Sequence, residues 1–423
     1  MRVDVRGARL LDPASGLDRS ADLIIEDGVI AGIGSGLPAG DVSVPAEGAL
    51  VVPGLVDVHA HLREPGETAK EDIRSGLGAA LAGGFTDVCA MPNTRPPVDE
   101  PWLLQVLLEK AQGHPVALHQ IAALTRGQAG NELAEFGALL EAGAVAFSDD
   151  GHGVARPDVM RMALQYAQAF GALIVAHAED PQLSGAGVVH EGAVSYRLGL
   201  PGQPRSAESA MVARDLELLR DVGGRLHVAH VSTRETLALV GRARADGLRV
   251  TCEVTPHHLL LTDEDVERLG ANGKMNPPLR TSEDRCALLA ALRDGGIDCI
   301  ATDHAPHRAA DKAKGMLAAP FGVIGFETAF AALYTDLVLA GELSLERLVA
   351  ALGSSPRQVF GLPGAAIREG ERARLSIFDL EAKWTVSRQS LRSKSENSWL
   401  LGRELRGRAL GIVTEGGWHS VAA

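Results

Sequence analysis

Two histidines separated by a single residue lie in a short apolar run near position 60 of this 423-residue chain. The run, residues 56–63, reads Val-Asp-Val-His-Ala-His-Leu-Arg and therefore contains His59, His61 and Arg63. Side chains alternate between the two faces of a β-strand, so His59 and His61 point the same way and can ligate one metal ion. A His-x-His pair also occurs in ordinary surface loops, so a metal site requires further ligands from elsewhere in the chain.

Eight β runs alternate with Ala- and Leu-rich helical stretches from residue 54 to about residue 364. This number of strands and helices over roughly 310 residues predicts a (β/α)8 barrel of the TIM type. The β runs lie at 55–61, 84–91, 116–124, 143–149, 172–178, 225–231, 249–255 and 297–303.

Both ends of the chain have a different texture, with short strands and tight turns. Residues 1–53 read as a small β-layer, and residues 373–379, 398–401 and 409–414 read as strands near the other end. We expect the two ends to join in one small β-sandwich beside the barrel. The predicted organisation is therefore 1–53 and 365–423 in the sandwich and 54–364 in the catalytic barrel.

Functional groups of such barrels gather at the carboxyl ends of the strands, so the polar residues that close each β run deserve comparison. Imidazole and carboxylate together suit zinc and related divalent metals, and their convergence on one rim predicts a metal site. The histidines and aspartates that close five of the runs are His59, His61, Asp149, Asp150, His177, His227, His230, Asp303 and His304.

Alternation along each strand separates the inward side chains of this set from the outward ones. His227 and His230 are three residues apart, so only one can face the lumen, and His230 lies at the strand end. Asp150 shares a face with the small residues at 144, 146 and 148, which favours Asp150 as the ligand and Asp149 as a turn or supporting group. Asp303 shares a face with the alanine at 301, so we expect it to point inward and the histidine that follows it to be structural.

The composition argues for a globular protein of the size of an enzyme. The chain is 46% hydrophobic and 22% charged, and its net charge of −13 argues against a nucleic-acid or membrane-surface protein, because both need an excess of Lys and Arg. No apolar signal segment or membrane span is evident, so we expect a cytoplasmic protein. The cysteines lack Cys-x-x-Cys spacing and are expected to be buried free thiols: Cys89, Cys252, Cys286 and Cys299.

Several motifs resemble those of the dihydroorotase family, of the bacterial long-chain type, within the amidohydrolase superfamily. Residues 57–66, Asp-Val-His-Ala-His-Leu-Arg-Glu-Pro-Gly, and residues 301–307, Ala-Thr-Asp-His-Ala-Pro-His, are similar to the two signature segments of that family. Residues 91–94 and 275–278 resemble its substrate-contacting segments. The similarity extends in order over essentially the whole chain, including Ser-Lys-Ser-Glu-Asn at 393–397.

The resemblance implies reversible ring closure of N-carbamoyl-L-aspartate to L-dihydroorotate in pyrimidine biosynthesis. It implies one or two bound Zn²⁺, or another divalent metal, with Asp303 also acting as general base and acid. The implied metal ligands are His59, His61, Asp150, His177, His230 and Asp303. The implied substrate-binding residues include His61. Arg63, Asn93 and His307 would hold the carboxylate, and Asn276 with the backbone of Phe321 and Gly322 would hold the ring.

One departure from the wider superfamily is informative. Hydantoinases, dihydropyrimidinases and allantoinases bridge two metals with a carboxylated lysine at the end of strand four, but no lysine occurs between Lys110 and Lys274. Asp150 is the carboxylate left to take that place, and whether it bridges two ions stays open. Residues 308–318, charged and small, follow the eighth strand and are expected to form a lid over the substrate.

Two alternatives to an active dihydroorotase remain at this point. One is another cyclic amidase, similar to a hydantoinase or allantoinase, against which the missing lysine and the set Arg63, Asn93 and His307 argue. The other is a catalytically silent homologue that acts as a structural partner of aspartate carbamoyltransferase, although every expected ligand is present. The family resemblance also implies a homodimer and allows a complex with that carbamoyltransferase.

Overall fold

The computed structural model describes residues 1–421. Its strands fall into a barrel and a second sheet at the chain ends. The strands are β1 (Arg2–Asp12), β2 (Leu17–Glu26), β3 (Val29–Gly34), β4 (Val42–Val44), β5 (Leu50–Pro53), β6 (Leu55–Ala60), β7 (Phe85–Ala90), β8 (Ala117–Ala123), β9 (Ala146–Ser148), β10 (Ile174–Ala176), β11 (Val189–His190), β12 (Gly202–Gln203), β13 (Leu226–Val228), β14 (Val250–Val254), β15 (Cys299–Ile300), β16 (Leu375–Thr385), β17 (Glu404–Thr414) and β18 (Gly417–Ser420).

Helices separate consecutive barrel strands and cover the outside of the barrel. Two further short strands, β11 and β12, pair with each other outside it. The helices are α1 (Ile73–Ala82), α2 (Pro101–Ala111), α3 (Phe136–Glu141), α4 (Pro157–Phe170), α5 (Pro181–Ser184), α6 (Ala193–Leu198), α7 (Ser206–Val222), α8 (Arg234–Ala245), α9 (Pro256–Leu260), α10 (Asp265–Leu269), α11 (Ser282–Arg293), α12 (Ala309–Lys312), α13 (Gly315–Ala318), α14 (Ala329–Leu333), α15 (Leu345–Leu352) and α16 (Ser354–Phe360).

The barrel confirms the predicted TIM-type fold. Eight strands run in the order β6-β7-β8-β9-β10-β13-β14-β15, and each lies inside one of the β runs expected from the sequence. The ring closes between its first and last members, where Ala60 pairs in parallel with His304 and the His61 N–H donates to the His304 carbonyl at 2.9 Å. The carboxyl ends of all eight strands therefore meet at one rim.

Helix α4 illustrates how local sequence builds the outer layer. Pro157 begins the helix, where its missing N–H costs nothing, and Gly171 ends it at a φ of +65°, a left-handed conformation that glycine adopts without strain. Between them, Val159, Ala163 and Ala167 recur at helical spacing and are buried against the barrel. The same logic places an apolar face of each long helix on the strands.

The strands at the two chain ends form one sheet with its own apolar core. β5 joins the ends, because it pairs with β1 from the N-terminal part and with β16 from the C-terminal part. The apolar cluster under this sheet includes Val5, Leu23 and Ile377 and is separate from the barrel cluster. The exact domain boundaries at 53/54 and 364/365 stay predictions.

Two sequence expectations were wrong in detail. Residues 398–401 form part of a turn rather than a strand, since Trp399 and Leu400 are buried in an apolar cluster without pairing to a sheet. All four cysteines are free as expected, but Cys286 is exposed on α11 whereas the other three are buried. Among the described residues, no helix is both long and apolar enough to cross a membrane.

Candidate metal centre and active site

The carboxylate of Asp150 lies at the centre of the barrel rim, just after β9, and faces four histidines. Its Oδ1 atom is 3.3 Å from His59 Nε2, 3.3 Å from His177 Nδ1 and 3.6 Å from His230 Nε2. Its Oδ2 atom is 3.6 Å from His61 Nε2. The end of strand four thus contributes the acidic residue around which the histidines of strands one, five and six converge.

The donor set fits a divalent metal ion. Two groups, His59–His61–Asp150 and Asp150–His177–His230, each place their donor atoms within 4.8 Å of one another. Neither His59 Nε2 nor Asp150 Oδ1 has a hydrogen-bond partner within residues 1–421, although both atoms are buried. Because unpartnered buried polar atoms are costly, their convergence indicates a site built to ligate something. Asp150 belongs to both groups, so the cluster can accommodate one ion or two.

Mutual attraction governs the ionisation of this cluster. Burial disfavours the charged form of Asp150, but the charge of His59 and the nearby imidazoles of His177 and His230 outweigh it and hold the pKa of Asp150 well below its usual value. A metal ion binds the ionised form of a carboxylate and the neutral form of an imidazole. Asp150 is therefore ready to bind metal, and the histidines are ready once they are neutral.

Asp303 borders the cluster from the opposite side of the rim. It follows β15 with a φ of +49°, and its Oδ1 atom lies 3.0 Å from His61 Nε2 and 3.8 Å from His59 Nε2. Burial opposes ionisation of Asp303, yet the hydrogen bond from His61 and the charge of His59 keep its pKa well below the usual range. Asp303 is therefore a carboxylate that can accept a proton next to the donor set.

Glu253, which the sequence interpretation missed, orients two of the histidines from below. It lies on β14, accepts from His59 Nδ1 at 2.7 Å and from His227 Nε2 at 3.1 Å, and receives the His230 backbone N–H at 3.3 Å. A bond at Nδ1 leaves Nε2 of His59 as the ligand atom. Burial opposes the charge of Glu253, but His59 and His227 lower its pKa to about 2. A charged residue inside the apolar run 250–254 was the available signal.

The neighbours set aside by strand alternation lie outside the cluster. The Asp149 carboxylate accepts the Leu124 and Thr125 backbone N–H groups, each at 2.9 Å. The ring of His304 stacks on Phe326 with 4.0 Å between centroids and accepts the N–H of the residue at 325. The structure thus brings Asp150 and Asp303, rather than the residues beside them in sequence, to the histidines.

The guanidinium of Arg63 is a cationic group next to the cluster. The guanidinium of Arg63 donates to the Pro306 carbonyl at 3.2 Å and lies 3.2 Å from His307 Nε2. Burial and the Arg63 charge lower the pKa of His307 to about 2, so its imidazole is neutral. Asn93 contacts two members of the cluster. Its Oδ1 atom lies 2.8 Å from His61 Nδ1, and its Nδ2 atom lies 3.2 Å from Asp150 Oδ2.

The residues expected to hold the ring are in the same region, and each already has protein partners. Asn276 donates to Glu179 at 2.6 Å and lies 3.4 Å from His177 Nε2. Glu179, also missed from the sequence, lies 3.0 Å from the same His177 nitrogen. The Phe321 carbonyl lies 2.8 Å from His307 Nε2, and both backbone groups of Gly322 are hydrogen-bonded within the chain.

Solved structures define the class to which this fold and rim belong. The L-hydantoinase (dihydropyrimidinase) from Arthrobacter aurescens matches with a TM-score of 0.88 and 27% identity, covering 98% of this chain and 95% of that one. The D-hydantoinase (dihydropyrimidinase) from Thermus sp. matches with a TM-score of 0.83 and 25% identity, covering 98% and 94%. The protein is thus a barrel hydrolase of the amidohydrolase type.

Sequence comparison narrows the class. A family model described as Dihydro-orotase-like matches residues 48–236. The dihydroorotase of Anaeromyxobacter dehalogenans strain 2CP-1 is 47% identical over 420 residues, covering 97% of this chain and 96% of the relative. That of Geobacillus sp. strain WCH70 is 48% identical over 398 residues, covering 93% and 92%. The chain belongs to the dihydroorotase family.

Proposed function

We propose that this protein catalyses the reversible cyclisation of N-carbamoyl-L-aspartate to L-dihydroorotate, a step of pyrimidine biosynthesis. The observation that carries the proposal is the Asp150-centred histidine cluster with the Asp303 carboxylate on one side and the Arg63 guanidinium on another. The cluster suits hydrolysis of a cyclic amide, and the guanidinium suits a ring that bears a carboxylate. The near full-length identity to dihydroorotases supports the same reaction.

The rim residues would hold one or two Zn²⁺, or another divalent ion. Imidazole nitrogen and carboxylate oxygen are the donors that zinc accepts in catalytic sites. When bound, such an ion polarises the reacting carbonyl and activates water. The ligands in this proposal are His59, His61, Asp150, His177, His230 and Asp303.

Asp303 moves the proton. In the hydrolytic direction its carboxylate takes a proton from the water that attacks the ring carbonyl and delivers it to the ring nitrogen as the C–N bond breaks. In the synthetic direction it accepts the proton of the carbamoyl amide as that nitrogen attacks the carboxylate carbon. It passes this proton to the carboxylate oxygen as the C–O bond breaks, and with one further proton from solvent that oxygen leaves as water. Its ionised state and its position 3.0 Å from His61 Nε2 support this role.

Arg63, Asn93 and His307 would hold the substrate carboxylate that does not react. The planar fork of Arg63 matches a carboxylate with two hydrogen bonds, which a lysine does less well. Asn93 orients His61 as well, since it bonds His61 Nδ1. Asn276 and the backbone at Phe321 and Gly322 would hold the ring, after exchange of some of the protein contacts that they make here.

A hydantoinase-like activity is the second candidate, because the solved structures that share this fold include hydantoinases. The absence of lysine between Lys110 and Lys274 argues against the carboxylated-lysine bridge of those enzymes. A silent partner of a carbamoyltransferase is disfavoured, because all the expected ligand residues converge on one rim.

A substrate panel tests the proposed function. Purified protein is assayed with dihydroorotate, N-carbamoyl-L-aspartate, hydantoin and allantoin, each with and without a metal chelator. We expect turnover of the first two, in opposite directions, and loss of both with chelator. Turnover of hydantoin or allantoin without dihydroorotate would contradict the proposal, and inactivity of metal-replete protein on all four would support the silent alternative.

Location and assembly are further parts of the proposal. Free thiols at all four cysteines support a cytoplasmic protein, because reducing compartments keep cysteines unpaired. The family resemblance supports a homodimer and a complex with aspartate carbamoyltransferase. Light scattering of the purified chain, alone and mixed with the carbamoyltransferase of the same organism, measures both.

A further inference from the structure

The carbonyl of Gly322 is held by one side chain nearby in sequence and one distant in sequence. It accepts a hydrogen bond from Lys312 Nζ at 2.9 Å and another from Asn397 Nδ2 at 3.2 Å, while the Gly322 N–H donates to the Lys274 carbonyl at 2.8 Å. Gly322 has a φ of +97°, and a Cβ atom there would lie 2.6 Å from the Ala305 Cβ. This turn is therefore fixed by packing and by three hydrogen bonds.

Lys312 is a buried cation without a carboxylate partner. Its side chain also donates to the Pro320 carbonyl at 3.0 Å, and no acidic group of residues 1–421 lies within ion-pair distance of its ammonium. Burial, with the charge of Lys274, lowers the pKa of Lys312 to about 7. Burying an unpaired ammonium is costly, so its retention calls for a compensating role. By contrast, Lys314 on the same loop is exposed and pairs with Asp311 at 3.0 Å.

Lys312 is connected to the carboxylate pocket through the Gly322 turn. The carbonyl of Phe321, next to Gly322, lies 2.8 Å from His307 Nε2, and the same nitrogen lies 3.2 Å from the Arg63 guanidinium. A shift of the turn would therefore also move His307 relative to Arg63.

Asn397 links the same turn to His307. Its side chain is 3% exposed, and its Oδ1 atom accepts the His307 backbone N–H at 2.9 Å. Its Nδ2 group donates to the Ala305 carbonyl at 2.9 Å as well as to Gly322. One amide from the C-terminal part of the chain thus ties the loop after β15 to the Gly322 turn.

We propose that Lys312 and Asn397 are positioning residues for substrate binding, because they hold His307 and the Phe321–Gly322 turn in place. The inference rests on the proposed function for the identity of the substrate. Neither side chain contacts the Asp150 cluster, so their loss is expected to change substrate binding more than the chemical step.

Steady-state kinetics of four variants test the proposal on the full chain with its metal. Lys312→Met removes the ammonium and keeps the apolar stem, Lys312→Arg keeps the charge, and Asn397→Ala removes the amide. Lys383→Met, which changes an exposed lysine of β16 in the sheet at the chain ends, is the control. We expect KM for dihydroorotate to rise about tenfold or more in both Lys312→Met and Asn397→Ala. The first variant loses hydrogen bonds from a charged group, and the second loses several buried hydrogen bonds. We expect kcat to stay within about threefold, Lys312→Arg to recover most of the loss, and the control to match wild type.

Hydrogen exchange supplies a second readout that does not depend on turnover. Amides of 305–325 are expected to exchange at least about tenfold faster in Lys312→Met and Asn397→Ala than in wild type, with metal content per chain unchanged. An unchanged KM, or unchanged exchange in this segment, in folded Lys312→Met and Asn397→Ala overturns the proposal. If Lys312→Met does not fold, Asn397→Ala and Lys312→Arg decide. If the proposed function itself is wrong, the wild-type protein will not turn over dihydroorotate. That result differs from failure of the positioning proposal, in which the wild type is active and the variants are unchanged.

Discussion

Asp303 occupies a conformation that few aspartates adopt. Its φ of +49° places it in the left-handed region, which costs free energy for a residue with a Cβ and persists only where the surroundings enforce it. Here that conformation turns the carboxylate toward His61 at 3.0 Å. The side chain that would move the proton is therefore held beside the donor set by the backbone.

The variant Asp303→Asn tests this role. The amide keeps the size of the side chain but cannot accept the proton, so kcat is expected to fall about 10²–10⁴-fold, the range of general acid–base catalysis, or further if metal is lost. Substrate binding should remain measurable by calorimetry. Asp158→Asn, at an exposed site on α4, is the control. Turnover of Asp303→Asn close to wild type would remove Asp303 from the role of base.

Glu253 is expected to tune metal binding without touching the metal. In Glu253→Gln the charge that orients His59 and His227 is lost, and affinity for Zn²⁺ should fall about 10–100-fold, as for other residues behind metal ligands. Competition with a chromophoric chelator measures the change. Glu327→Gln, a buried glutamate that binds the Arg392 backbone, is the control. Equal affinity in Glu253→Gln and wild type would show that His59 is oriented without it.

At the level of elements, strand alternation was enough to separate Asp150 from Asp149 and His230 from His227. The prediction succeeds because all barrel strands end at one rim, where one face of each strand points into the barrel and the other points outward. It holds even where the regular strand is as short as β15. Residues 398–401 were predicted as a strand but form part of a turn in which Trp399 is buried. An apolar sequence does not distinguish a buried turn from a buried strand.

The parts of the site that escaped sequence analysis come from long-range contacts. Glu253 reaches His59 across 194 residues and Asn397 reaches His307 across 90. The local sequence pattern does not indicate such pairs, because nothing in the segment around either residue depends on its distant partner. The polar residue inside β14 was a signal, whereas nothing near Asn397 in the sequence indicates its partner.

Gly322→Ala tests the importance of the turn that we propose holds the ring. An added Cβ would meet the Ala305 Cβ at 2.6 Å on a backbone with φ of +97°, so the turn must shift. We expect KM for dihydroorotate to rise about tenfold, as for loss of a well-placed contact. Gly364→Ala, where nothing lies within 4 Å of the added atom, is the matched control. Equal KM values for the two variants would mean that substrate binding does not depend on the turn.

At the scale of the whole molecule, a buried charge cluster joins the barrel to the sheet at the chain ends. Asp87 on β7 is fully buried and pairs with Arg357 of α16 at 2.6 Å, with Arg374 next to β16, and with His119 of β8 at 2.8 Å. Burial opposes its charge, but His119 and the two arginines outweigh burial and hold its pKa well below the usual value.

Asp87→Asn is expected to lower the free energy of unfolding by about 3–5 kcal/mol, because two arginines lose a buried partner. The folded-state pKa is depressed, so the stabilisation is fully present above the unfolded value near pH 4 and is lost progressively as pH falls from that value through the lower folded-state pKa. Chemical denaturation at pH 7 and pH 3.5 measures both effects. Asp158→Asn, in an exposed pair with Arg156, is the control and should change stability far less. Equal stability of the two variants at pH 7 would contradict the role of Asp87.

We propose that the Asp150 cluster binds the metal on which the dihydroorotase activity of this chain depends. The most direct test is to remove metal with a chelator, titrate Zn²⁺ back, and follow both bound metal per chain and hydrolysis of dihydroorotate. We predict that activity disappears with the metal and returns in proportion to it, saturating at one or two ions per chain. Full activity of metal-free protein, or saturation with metal that restores none, would contradict the claim.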